Sequence, residues 1–138
     1  MMERQLMNSP RTTVLLPLML LYGAASLLHH FHNAVYLHDY PNLPAWLTAG
    51  GVWAAWLVVA GTGIAGYWLY SRGSRAAGWV LISVYAAFGL AGLDHYTIAP
   101  VAAHSVAMNL TILLEVVTAV ALLVYVVQAM VQRASLRG

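Results

Sequence analysis

The sequence predicts an all-α integral membrane protein, one bundle of four transmembrane helices running up-down-up-down with both termini cytoplasmic. Three observations carry that expectation: scarce charge, four long apolar runs, and arginines confined to alternate connections. Of 138 residues, 62% are hydrophobic and 7% are charged. A soluble domain needs about a quarter of its residues charged to cover its surface, so most of this surface must face lipid. Mean hydropathy is +0.75. The six basic residues are all arginine, too few for a nucleic-acid footprint. With no cysteine, disulfides, thiolate metal sites, iron–sulfur clusters and cysteine nucleophiles are excluded. A metal here would need imidazole, carboxylate, amide or thioether ligands.

Each apolar run is long enough to cross a hydrocarbon core, which takes roughly 20 helical residues. The first spans about 12–33, after cap and first-turn chemistry at Asn8-Ser9-Pro10. Pro17 falls early in it and should bend the helix rather than end it. The second spans about 44–70, behind the turn-rich segment from His38 to Pro44. The third spans about 75–96 after the link Ser71-Arg72-Gly73-Ser74, and the fourth about 100–132, opening on Pro100. Residues 1–138 read as a single transmembrane domain without repeats.

Arg4 and Arg11 precede the first run, Arg72 and Arg75 lie between the second and third, and Arg133 and Arg137 end the fourth. Four crossings put all six on one side, which the positive-inside rule makes cytoplasmic, in a plasma (inner) membrane. Tyr36, Tyr40, Trp46 and Tyr96 would mark the outer interface; Tyr67, Trp68, Tyr70 and Trp79 would mark the inner one. Residues 1–25 also carry the outline of a secretory signal, and cleavage there would leave three crossings.

All six histidines fall on the arginine-free side: His29, His30 and His32 at the end of the first run, then His38, His95 and His104. Asp39 and Asp94 lie there too. At 100° per residue, Tyr22, Ser26, His29 and Asn33 form one stripe, with His30 and His32 on its two edges. His104, Met108, Thr111, Glu115 and Thr118 form another. Tyr85, Gly89, Gly92 and Tyr96 align on the third helix, with His95 to one side. Lipid disfavours such polar faces, so they should point at one another. The second helix has no ionisable side chain, and Gly61, Thr62, Ala65 and Gly66 suit close packing instead.

Glu115 falls near the middle of its helix, about 16 Å of rise below His104. Facing lipid, a carboxylate there would cost at least a few kcal/mol, so it should be protonated, hydrogen-bonded or both. Tyr22 and Tyr85 fall at similar depth, and at least one should bond it.

The leading expectation is a metal centre open to the periplasm, built from His29, His30, His32, His95 and His104, with Asp94 as ligand or supporting partner. Zinc, copper and iron all suit such ligands, and Met108 would favour copper. Glu115 would handle a proton, in a metalloenzyme or redox protein acting on a lipophilic substrate. The alternative is a non-catalytic small subunit with a membrane-protein partner, or a homo-oligomer. In size the chain is similar to four-helix b-type cytochromes, which implies haem held by two histidines as a further alternative. Asn109 reads as an interhelical bond, His38 and Asp39 as solvated loop, and Tyr36 and Tyr40 as interface anchors.

Overall fold

The computed structural model describes residues 12–135. Arg4, Arg11, Arg137 and the Asn8-Ser9-Pro10 cap lie outside the described residues. Four long helices account for most of the rest: α1 (Thr12–Val35), α2 (Ala49–Ser71), α3 (Arg75–Phe88) and α4 (Val106–Ser135). Four segments, one in each helical stretch, are long and apolar enough to cross a membrane, the property of a multi-pass membrane protein. Their outward faces carry large exposed hydrophobics such as Leu20, Leu57, Ile64, Leu110 and Val117, the surface a lipid solvent requires.

Three boundaries differ from the sequence expectation, each for a local reason. α2 starts at Ala49 rather than near Pro44, because the Thr48 hydroxyl caps it by accepting from Gly51 N–H at 3.1 Å. α4 starts at Val106, because the Ser105 hydroxyl accepts from Met108 N–H at 3.2 Å; Pro100 instead leads a short 3₁₀ turn, Val101–Ala103. The third run is not one α-helix. Beyond Phe88 it tightens into 3₁₀ geometry over Gly89–Asp94 and finishes as one α-turn, His95–Ile98. α1, by contrast, runs through Pro17 without ending.

α1 packs on α4, and α3 packs on both α2 and α4, while α2 leans chiefly on α1 and α3. The larger apolar core joins Leu15, Met19 and Tyr22 to Ile82, Tyr85, Ala86, Ala119, Leu122 and Val126. At its arginine-bearing end, the Arg133 guanidinium lies over Trp79 (5.5 Å) and Tyr70 (6.0 Å), tying α4 to α3 and α2 by cation–π contact. A smaller apolar cluster of Tyr40, Met108 and Ile112 closes the histidine-bearing end. Between the two lies the polar region.

Candidate functional site

α1 delivers its stripe as its periodicity requires: Tyr22, Ser26, His29 and Asn33 are all buried. Facing them from α4 are Thr111, Glu115 and Thr118, also buried. Glu115, only 2% exposed, is the hub. Its Oε2 lies 3.7 Å from His29 Nε2 and its Oε1 lies 3.8 Å from His30 Nδ1. Gly92 lies beside it: a Cβ there would make ordinary van der Waals contact, 3.6 Å from Oε2.

Hydrogen bonds fix how the imidazoles carry their protons. The Thr111 hydroxyl donates to the Met108 carbonyl at 3.0 Å, so at 3.4 Å it accepts from His29 Nδ1–H. The lone pair of neutral His29 is therefore on Nε2, facing the carboxyl of Glu115. Two lone pairs at 3.7 Å repel, whereas one proton placed on either atom makes the contact attractive. His30 Nδ1–H donates to the Ser26 carbonyl at 2.9 Å, and His104 Nδ1–H donates to the Pro100 carbonyl at 3.1 Å. Both leave Nε2 as the open position. His104 Nε2 is buried and has no hydrogen-bond partner.

His95 joins this group because of the 3₁₀ stretch. With three residues per turn, Gly89, Gly92 and His95 fall in line, so a side chain expected to one side turns onto the inward face. Its ring meets His29 edge-on with centroids 5.3 Å apart, and His104 at 6.0 Å. Its Nε2 is 3.3 Å from Asn33 Nδ2. His29, His30, His95, His104 and Glu115 therefore form a chain of neighbours from the histidine-bearing end into the bundle.

Other expected residues fall elsewhere. His32 turns from the group and shares a 2.9 Å hydrogen bond with the Tyr40 hydroxyl. Asp94 is exposed, and none of the described imidazoles bonds its carboxylate. Met108 directs its sulfur to its own helix start, accepting from Ser105 N–H at 3.4 Å. Asn109 bonds the Tyr96 hydroxyl and the Val101 and His104 carbonyls, so it braces the connection before α4. Neither central tyrosine bonds Glu115. Tyr85 donates to the Met19 carbonyl at 3.1 Å, and the Tyr22 hydroxyl is buried with no hydrogen-bond partner. The reason is depth: Glu115 reaches toward His29 and His30, two turns beyond Tyr22 on α1. Among the described residues, no group of three or more His, Asp or Glu side chains is arranged to hold a metal ion.

No protein-family model, curated protein or solved structure matches this chain.

Tyr40 is the site residue that sequence reasoning took for an interface anchor. It is 4% exposed, its ring centroid 5.0 Å from that of His95 and 6.4 Å from that of His104. Burial pushes its phenol up to about 12. The loop is held over the site by Asn42, whose side-chain amide donates to the Ile98 carbonyl at 2.8 Å. Asn42 adopts φ 57°, left-handed backbone that asparagine tolerates better than most residues. The Asn42 turn was the available signal for a folded-back loop.

On its far side the cluster opens into a chamber of about 370 Å³. One wall is polar, from His29, His30, Asn33, His95 and Glu115; the other is apolar, from Val58 and Val59 of α2 with Phe88 and Ala91. Titratable groups facing an apolar wall suit acid–base work on a molecule that enters from lipid.

Proposed function

We propose that this chain is a plasma-membrane protein whose bundle houses an acid–base site for a lipophilic substrate. Glu115 and His29 share and transfer the substrate's proton, with His30 supporting the carboxyl. His95 and His104 relay it to the outer surface. The arginine-bearing end is cytoplasmic on this reading, as the positive-inside rule favours. The observation that carries the proposal is the buried Glu115 carboxyl set 3.7 Å from the acceptor nitrogen of His29, in a chamber with an apolar second wall. From that separation a small closing movement brings the Glu115 carboxyl within hydrogen-bond reach of His29 Nε2, the geometry that proton transfer needs. Infrared difference spectra of purified protein between two pH values test it. A carboxyl band that responds to pH should vanish in Glu115→Gln and shift in His29→Gln. Identical difference spectra for wild type and Glu115→Gln would refute the role.

One observation favours a metal-dependent version of the same site. His30 and His104 each give Nδ1–H to a backbone carbonyl, the arrangement that orients Nε2 toward an ion. Zinc, copper and iron suit that chemistry, and haem would also take imidazole. Elemental analysis with an optical spectrum decides it: stoichiometric metal that is lost in His95→Ala with His104→Ala supports this version, and metal-free active protein sinks it.

A further inference from the structure

The chamber beside Glu115 adjoins a second, larger cavity of about 740 Å³ between α1 and α2. Val59 lines the chamber and the next residue, Ala60, lines the larger cavity. On α1, His30 and Leu27, one turn apart, do the same. The larger cavity is apolar and open to the bilayer: Met19 and Tyr85 are buried at its floor, while Leu20 and Ile64 stand largely exposed at its rim. Of its three hydroxyl groups, that of Ser71 donates to the Trp68 carbonyl and that of Tyr85 to the Met19 carbonyl, and Tyr67 carries the third. Polarity therefore falls along one slot, from imidazoles and a carboxyl at one end to hydrocarbon at the other.

The polar end carries a second sign of a ligand. Asn33 is 9% exposed and lines the chamber, yet its Oδ1 has no hydrogen-bond partner. A buried acceptor left so costs roughly 1–3 kcal/mol, and a ligand O–H would satisfy it. The apolar end is long enough for a chain: Leu16 and Leu27, both lining it, are about 16 Å apart in helix rise.

We propose that one single-chain amphiphile fills both cavities, its compact uncharged hydroxyl-bearing head between Asn33 and Glu115 and its hydrocarbon tail between α1 and α2. This rests on the chamber being a substrate site and names the substrate class. A phospholipid does not fit the description, because a charged headgroup set against Glu115 would lie about 13 Å of helix rise inside the start of α4 at Val106, at a cost of several kcal/mol.

The test uses the full chain in detergent and a long-chain fatty alcohol bearing a photoactivatable diazirine at the tail end. Cross-links should map to the inner lining of the larger cavity, at residues such as Met19 and Tyr67. Excess unlabelled fatty alcohol should suppress them, and Ala60→Trp at the junction should lower them about tenfold, equivalent to ~1.4 kcal/mol. Ala24→Leu, a milder filling of the same cavity, should lower them in part, and Gly61→Trp on the outward face should leave them unchanged. Cross-links spread over lipid-facing positions such as Leu110 and Val117, or suppressed equally by phospholipid, would overturn the proposal. Tail labelling that survives while Glu115 gives no infrared proton signal would keep the slot and sink the acid–base reading; the converse sinks the slot alone.

Discussion

Gly89→Ala tests the junction on which the site rests. Gly89 stands where α3 passes into 3₁₀ geometry. A Cβ there would strike the Cβ of Ala119 on α4 and come within 2.6 Å of Tyr22 Cε2 on α1. Tyr22 and Ala119 are fully buried, so neither can move aside into open space. Alanine gains up to about 1 kcal/mol in helix propensity over glycine. Overpacking a filled core costs about 1–3 kcal/mol, occasionally more. With two rigid neighbours struck at once, the loss should lie at the upper end. The expected net change is a destabilisation of about 2 kcal/mol, or roughly 30-fold in the folded-to-unfolded ratio.

The assay is unfolding in mixed micelles titrated with SDS, followed by tryptophan fluorescence. Gly61→Ala is the internal control, since a Cβ at Gly61 meets nothing within 4 Å; it should be neutral or slightly stabilising. Adding Ala119→Gly to Gly89→Ala removes one of the two collisions and should restore part of the loss, a coupling expected of residues in contact. Equal shifts for Gly89→Ala and Gly61→Ala, or a stabilised Gly89→Ala, would refute the reasoning.

Two further outcomes follow from the loop and from the arginines. The phenol of Tyr40, raised by burial to about 12 from an ordinary value of about 10, holds its proton more tightly in the folded state. Its contribution is therefore intact below about pH 10 and lost as pH rises toward about 12. Tyr40→Phe should flatten the alkaline fall in stability over that window, and an unchanged slope would count against a buried Tyr40. For sidedness, a chain without cysteine accepts single thiols at the exposed positions His38 and Ser74. A membrane-impermeant maleimide applied to whole cells should label His38→Cys and spare Ser74→Cys; the reverse pattern would invert the orientation.

What the sequence made legible is what regular periodicity controls. The stripe from Tyr22 to Asn33 could be read because an unbroken α-helix repeats every 3.6 residues and lipid penalises polar side chains. The same reasoning placed Glu115 and Thr111 opposite it. His30 and His32 flank the stripe on its two edges, and periodicity alone could not say which edge faces a neighbour. His30 came to border the chamber because α2 stands beside it, whereas His32 faces the loop carrying Tyr40. Bonds that close over tens of residues, such as Asn42 to Ile98, leave only faint local marks.

His95 makes the sharpest case. On a continuous α-helix it would fall about 100° from Tyr96 and off the Gly89–Gly92 face. Six residues of 3₁₀ geometry instead bring it into line with those two glycines. Glycine at 89 allows Tyr22 and Ala119 to press against that backbone, and Gly92 lies beside the Glu115 carboxyl. The two glycines that read as part of one aligned face with Tyr85 and Tyr96 thus mark the stretch whose tightening turns His95 toward His29. The cluster accordingly depends on a departure from helical regularity. A change that returned Gly89–Asp94 to α-helix would move His95 away from His29 while leaving every ionisable residue of the site in the chain.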